Sequence, residues 1–299
     1  MEEGKASVTA RVTAMFRAAH LLWDERPKIF EDTLALQLSG CENEAALRVQ
    51  LDRIESEIAQ ETDPDLALTL RRSLTSTVLV RSRYLEDEVE EAVARGVSQY
   101  VILGAGLDSF AYRRSDLAKV LRVFEVDHLA TQVWKKSRLQ EAGIVLPSNL
   151  SFVPVDFEKN SLIDNLRTNG YQTSAPGIFS WLGVTMYLTS DAIFGTLRAI
   201  AALKPGTEIV FEYNLLKELL DERGQRIHAA LTAFAAARGE PHKSFFEPAN
   251  LAEQVRKLGF AEVSDVGPGE AESRYFAGSS DDLRPLVFVH LMRAQVGRA

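Results

Sequence analysis

Two glycines and two carboxylates carry the chemistry that can be read first in this chain. Gly104 and Gly106 follow the apolar run Tyr100-Val101-Ile102-Leu103, and a second run, Val120 to Val126, ends in the acids Glu125 and Asp127. A strand, a glycine turn and a strand tipped by acid form a ribose site in a doubly wound α/β sheet. Ligands there lie outside the carboxyl ends of the strands. The glycines let backbone N–H groups come close, and a carboxylate accepts from both ribose hydroxyls. Gly-x-Gly alone also describes ordinary tight turns. A dinucleotide loop needs a third glycine where helix and strand pack. Here that position is Ser109, preceded by Asp108. A carboxylate in the cradle repels a pyrophosphate but tolerates a cationic ligand.

S-adenosylmethionine, with a sulfonium, an amine and a ribose, suits this loop better than NAD. The stretch Val101–Arg113, followed by Phe124-Glu125-Val126-Asp127-His128, resembles the leucine carboxyl methyltransferase-like branch of class I S-adenosylmethionine-dependent methyltransferases. That branch carries Leu-Gly-Ala-Gly-(Leu/Met)-Asp-(Thr/Ser), an aromatic-Arg soon after, and Phe-Glu-Val-Asp on the second strand. The similarity runs from about Arg17 to the C-terminus. It implies a doubly wound, seven-stranded, Rossmann-like sheet with an antiparallel last strand, S-adenosylmethionine as cofactor, and a methyltransferase activity.

Carried over position by position, the resemblance places Gly104, Ala105, Gly106, Asp108, Glu125, Asp127 and His128 at the cofactor. Arg81, in Arg81-Ser82-Arg83-Tyr84-Leu85-Glu86-Asp87, is implied to hold the methionyl carboxylate, a task that suits a planar guanidinium. The alternative for Arg81 is a structural pair with Glu86 or Asp87, a role for which Arg83 is the better candidate. Arg17, on an Arg-Ala helix like the family's, is a cofactor residue or a solvated helix face. Asp156 fits as the adenine reader, with Phe157 offering its backbone N–H; capping of a helix is the alternative for Asp156. Relatives often carry Glu where this chain has Leu182, so no role of that Glu transfers. Leu182 is expected to be an apolar wall of the substrate pocket instead. Tyr187 is expected to position the acceptor or to pack in the core. Tyr213 and Phe245 are further pocket candidates, with His242 and Phe246 weaker ones.

These residues need elements to hold them. Residues 7 to about 97 show almost no strand pattern, and Val8, Val12, Met15, Phe16 and Ala19 recur at helical spacing. Helices are expected over Cys41 to Glu61, stopped at Thr62-Asp63-Pro64, and from about Asp65 to Ser82. Residues 1–84 therefore read as a helical cap that does not fold alone, over a cofactor-binding core at 85–299 with a helical insertion near 214–246. A helix over Leu129 to Ala142 carries Lys135 and Lys136, expected at its surface. Strands follow at Ser151 to Val155, Gly177 to Leu188 and Thr207 to Phe211. The last two are Phe260 to Val266 and Leu286 to Met292, with no helix expected between them; the resemblance implies that they pair antiparallel.

Composition bounds the remaining readings. The chain has 299 residues, 46% of them apolar, and can bury a substantial core. Its formal charge of −8 argues against sequence-independent nucleic-acid binding. One cysteine, Cys41, excludes an internal disulfide, and the five histidines lack ligand spacing, so no metal is expected. No apolar run is long enough to cross a membrane, and Met1-Glu2-Glu3-Gly4-Lys5 lacks the design of a signal peptide; a cytoplasmic protein is expected. A carboxylate acceptor needs no general base, whereas a hydroxyl does. No histidine is set in a motif for that task. The expectation is O-methylation of a small molecule, most simply at a carboxylate. A protein C-terminal carboxyl methyltransferase and a non-catalytic or NAD-dependent binder are the alternatives, and oligomeric state stays open.

Overall fold

The computed structural model describes residues 8–59, 64–158, 161–277 and 283–297. The Met1–Lys5 segment and the Thr62-Asp63 break lie outside the described residues. Seven strands form one sheet: β1 (Gln99–Leu103), β2 (Arg122–Asp127), β3 (Leu150–Pro154), β4 (Ile178–Trp181), β5 (Glu208–Asn214), β6 (Phe260–Val266) and β7 (Val289–Val296). Their order is β3-β2-β1-β4-β5-β7-β6. The first five are parallel, and β7 runs antiparallel to both β5 and β6. All five residues of β1 are buried, as expected of a central parallel strand covered on both faces. Edge strand β6 exposes the polar Glu262 and Ser264, which discourages pairing with another chain.

Among the described residues four helices precede the sheet: α1 (Val8–Trp23), α2 (Ala35–Ser39), α3 (Glu44–Ala59) and α4 (Pro64–Ala94). Short α5 (Phe110–Arg113) follows the glycine loop, α6 (Leu129–Glu141) follows β2, α7 (Leu162–Thr168) follows β3, and α8 (Ser190–Ala201) follows β4. Two helices, α9 (Glu222–Ala236) and α10 (Pro248–Lys257), come between β5 and β6, and α11 (Pro268–Tyr275) lies between β6 and β7. On one face Leu166, Ile193, Leu197, Leu251 and Val255 of α7, α8 and α10 pack on Val101, Phe124 and Phe211. On the other, Tyr84, Leu85 and Val89 of α4 with Phe110 of α5 cover Tyr100, Ile102 and Val210.

The structure moves several boundaries. α4 is one helix of 31 residues, so a division at residue 84 falls inside it. Its Val78 packs with Met15, Phe16 and Leu51 of the N-terminal helices, while Tyr84 and Val89, one to three turns on, face the sheet. α11 occupies part of the segment from which no helix was expected. Its eight residues bury only Ala271, too little to show a periodic stripe. The strand expected over Gly177 to Leu188 ends at Trp181, because Gly183 at φ 69° turns the chain into a short 3-10 turn, Thr185–Tyr187. β5 instead runs on to Asn214, and the insertion helix starts only at Glu222, where the Asp221 carboxylate accepts from Gly224 N. Residues 237–247 then return across the strand ends: Lys243 N donates to Met186 O at 2.6 Å and Phe246 N to Asn214 O at 2.9 Å.

Candidate active site

The glycine loop turns back hard against β2. Gly104 N and Ala105 N both donate to Val126 O, at 2.8 and 3.0 Å, and Gly106 N donates to Asp127 Oδ2 at 2.6 Å. Gly104 and Gly106 hold φ of 68° and 43°, where a Cβ is disfavoured. Space forbids one at Gly104 as well: an added Cβ would lie 2.3 Å from Val184 Cγ2. At Gly106 it would lie 3.0 Å from Ala10 Cβ on α1. The loop is thus a narrow backbone cradle between the β4–β5 side of the sheet and the first helix.

Asp127 closes the cradle from the tip of β2. Its Oδ1 accepts from His128 N at 2.7 Å, and His128 caps α6. Burial pushes the Asp127 carboxyl above its ordinary value, against the pull of the Gly106 and His128 N–H groups. Both oxygens keep lone pairs for a ribose. The loop after β3 lies beside this tip, where Asp156 Oδ1 accepts from Glu158 N at 3.0 Å and the Phe157 ring packs on Trp181, centroids 5.5 Å apart.

Glu125 does not reach the ligand edge, which corrects the expectation for it. It lies deeper on the same face of β2, 1% exposed, with Lys135 Nζ of α6 at 2.6 Å and equally buried. Lys135, expected at the surface, is its counter-charge; burial still raises the Glu125 carboxyl to about 7. Arg17 is likewise a brace rather than a solvated side chain. Its Nε donates to Asp32 Oδ2 at 2.8 Å and its Nη2 to Leu107 O at 2.7 Å, behind the glycine loop. Asp32, 0% exposed, also accepts from Ser109 Oγ at 2.7 Å. Burial alone would raise the Asp32 carboxyl, but Arg17, Arg113 and Ser109 together hold it below its ordinary value. Asp108 accepts from Phe110 N at 2.8 Å and, with Arg17, Glu86, Arg113 and Leu182, lines a small cleft behind the loop.

A larger cavity, of about 130 Å³, opens between α1, α4, α9 and the ends of β4 and β5. Val12, Phe16, Leu231, Phe234 and Phe288 are among the apolar residues of its wall. Arg81 reaches it from α4 and ion-pairs with Glu212 at 2.6 Å, while Arg83 instead pairs with Asp87 at 2.8 Å. Opposite stand Tyr187, Asn214, Glu240 and His242. Tyr187 Oη lies 3.4 Å from Thr9 Oγ1, and Thr9 donates to Glu240. The Tyr187 and His242 rings meet edge-on, centroids 5.3 Å apart, and His242 Nδ1 is 3.5 Å from Asn214 Nδ2. Burial pushes the Tyr187 hydroxyl up to about 12 and the His242 imidazole down to about 4, so both are neutral at pH 7.

Three pocket expectations are corrected. Tyr213 is fully buried on the opposite face of β5 and donates to Asp265 Oδ1 at 2.6 Å; its neighbour Asn214 faces the cavity. Phe245 backs His228 and His242, centroids 5.0 and 6.3 Å away, without lining the wall. Leu182 packs with the α4-side core and the small cleft. Asn214 stands at the end of a strand that the sequence already directs at the binding edge; Thr9, Arg238 and Glu240 carry no such signal, because they come from separate segments that only folding brings together.

The donor set fits S-adenosylmethionine. A backbone cradle sterically closed to a Cβ, a carboxylate at the β2 tip, and a cation–anion pair beside a mostly apolar cavity match its ribose, amino-acid and methyl ends. Comparisons with known proteins agree. Residues 10–201 match the family model "Leucine carboxyl methyltransferase". The Bacillus subtilis protein named "Putative S-adenosyl-L-methionine-dependent methyltransferase YktD" is 32% identical over 304 residues, covering 98% of this chain and 99% of its own length. A Mycobacterium marinum protein similarly named is 32% identical over 211 residues, covering 70% of this chain and 67% of its own. In fold, a DUF574 family protein from Streptomyces avermitilis is similar at TM-score 0.61 and 15% identity, covering 97% of this chain and 98% of that one. A protein from Thermobifida fusca described as a "putative methyltransferase" is similar at TM-score 0.60 and 17% identity, covering 99% of this chain and 97% of that one. The chain belongs to the leucine carboxyl methyltransferase family and is a class I S-adenosylmethionine-dependent methyltransferase.

Proposed function

We propose that this methyltransferase methylates an oxygen of a small, largely apolar metabolite. The observation that carries the reading is the cavity of about 130 Å³ next to the Arg81–Glu212 pair, apolar along α1 and α9 and polar at Tyr187. A space near 150 Å³ takes about one benzene-sized ring. Helix α1 roofs it through Thr9, Val12 and Phe16, which favours a small molecule over a polypeptide C-terminus.

The cofactor, when bound, supplies an electrophilic methyl group on a sulfonium. The protein's share is orientation and exclusion of water. Phe16, Phe234 and Phe288 hold an apolar body, and the neutral Tyr187 hydroxyl can donate to the acceptor oxygen. A carboxylate acceptor is already ionised and asks nothing more of the site.

A hydroxyl acceptor is the second reading, and His242 favours it. No sequence motif sets a histidine for proton removal, yet the fold brings His242 into the cavity wall against Tyr187. Both readings are of a small-molecule enzyme with no nucleic-acid or membrane partner. Among the described residues no helix is long and apolar enough to cross a membrane.

The test is to incubate the protein with methyl-labelled S-adenosylmethionine and a panel of small aromatic and aliphatic acids, phenols and alcohols. Mild alkali then releases label from methyl esters as methanol and leaves methyl ethers intact. Label confined to nitrogen or carbon products would refute O-methylation.

A further inference from the structure

Glu212 follows the strand expected over Thr207 to Phe211, at the binding edge, and it sits where the cavity meets the glycine cradle. It is the third-from-last residue of β5, 2% exposed, and lines the cavity together with Arg81. One oxygen, Oε2, accepts both from Arg81 Nη1 and from Gly183 N, each at 2.6 Å. Thr185 Oγ1 donates to the Glu212 carbonyl, fixing the strand end beneath the turn. Gly183 admits this approach because it has no side chain: an added Cβ would lie 2.9 Å from both terminal nitrogens of Arg81. The next residue, Val184, is the one pressed against Gly104. A matched cation and anion therefore stand side by side next to the glycine loop. Leu182, which precedes this turn, is turned into the α4-side core and contributes no charge.

A buried ion pair is costly to desolvate and seldom repays its place by stability alone. It does suit a ligand that carries both charges on one carbon. If Arg81 takes up a ligand carboxylate, Glu212 loses part of its counter-charge in a site shielded from water, and an ammonium beside that carboxylate restores it. Charge balance is then kept in the free and the bound protein alike. We propose that Arg81 and Glu212 act together as a receptor for an α-amino acid zwitterion, with Glu212 holding the ammonium of the cofactor's methionyl end. The assignment rests on the S-adenosylmethionine reading and goes beyond it by giving the ammonium a partner on β5.

Calorimetric titration separates the charges. Three probes serve: S-adenosylhomocysteine, its analogue lacking the amino group, and its analogue lacking the carboxylate. Wild-type protein is expected to bind S-adenosylhomocysteine about tenfold or more tighter than the deaminated analogue, as for a lost charged hydrogen bond. Glu212→Gln is expected to abolish that preference, weakening S-adenosylhomocysteine while leaving the deaminated analogue within about twofold. Arg81→Gln should abolish the preference over the decarboxylated analogue instead. Equal weakening of S-adenosylhomocysteine and the deaminated analogue by Glu212→Gln would mean a scaffold role and overturn the proposal. So would wild-type protein that binds those two equally, a result that needs no variant to fold. Wild-type protein that binds none of the three probes would overturn the cofactor assignment itself, a separate failure.

Discussion

Replacing Lys135 by Met tests the reassignment of Glu125 from ribose reader to buried structural acid. The two charges are 2.6 Å apart, and both side chains are 1% exposed. Unit charges at roughly 3 Å attract by about 5–6 kcal/mol at an effective dielectric near 20. Removing one partner strands the other, which typically costs about 3–5 kcal/mol. For a chain of this size that amounts to a melting temperature lower by roughly 10 °C. The loss should depend on pH in a definite direction. The folded carboxyl titrates near 7, above its ordinary 4.5, because burial disfavours its charge. The native state therefore binds more protons than the unfolded chain between those values, and the stability Glu125 contributes falls as pH rises through that window. Without Lys135 the window extends upward. The variant's deficit should be small near pH 5 and grow toward pH 8, as read by urea unfolding at each pH. The companion Glu125→Gln, measured with S-adenosylhomocysteine, should keep its affinity within about threefold, since a residue away from the ligand edge has no direct contact to lose. A Lys135→Met protein as stable as wild type at pH 8, or a Glu125→Gln protein that folds but loses cofactor, would refute the reassignment.

Other expectations are simpler to state. Asp127→Ala should lower S-adenosylhomocysteine affinity by about a hundredfold or more, because it removes the ribose acceptor and the anchor of Gly106 N together; calorimetry checks it, and normal binding would end the ribose assignment. Gly104→Ala should cost at least about 1–2 kcal/mol from its left-handed backbone alone. Adding Val184→Ala should recover part of any further loss, since Val184 Cγ2 is the atom an added Cβ meets, and chemical denaturation of the single and double variants would show it. His242→Ala should lower turnover about a hundredfold if the acceptor is a hydroxyl, and change it little if a carboxylate, with alkali-lability of the product deciding which comparison applies.

Much of the architecture was legible in the sequence. The β1 run, the glycine turn and the acid-tipped β2 announce themselves because parallel central strands are continuous apolar runs. The last two strands were visible as apolar runs after Gly259, and their antiparallel pairing was implied by the family resemblance. What escaped was irregular. Helix α11 has a single buried residue to signal it, and Gly183 cuts β4 short inside a run whose composition reads as a longer strand. The continuity of α4 was hidden because Val78 faces the N-terminal helices and Val89 the sheet, so its apolar stripe changes partners along its length.

By itself the sequence determined the sheet, the glycine cradle and the carboxylate at its rim, because local spacing dictates each of them. It could not decide between Glu125 and Asp127. Residues two apart on a strand share a face, and only depth, roughly 7 Å along β2, leaves one at the ligand edge and the other against Lys135. Nor could it choose between Tyr213 and Asn214, whose opposite directions depend on which face of β5 meets the cavity. The polar corner of Thr9, Tyr187, Asn214, Glu240 and His242 comes from four separate stretches of chain. Tertiary packing alone brings them together, since residues 237–247 cross the ends of β4 and β5 through backbone hydrogen bonds that no sequence spacing records.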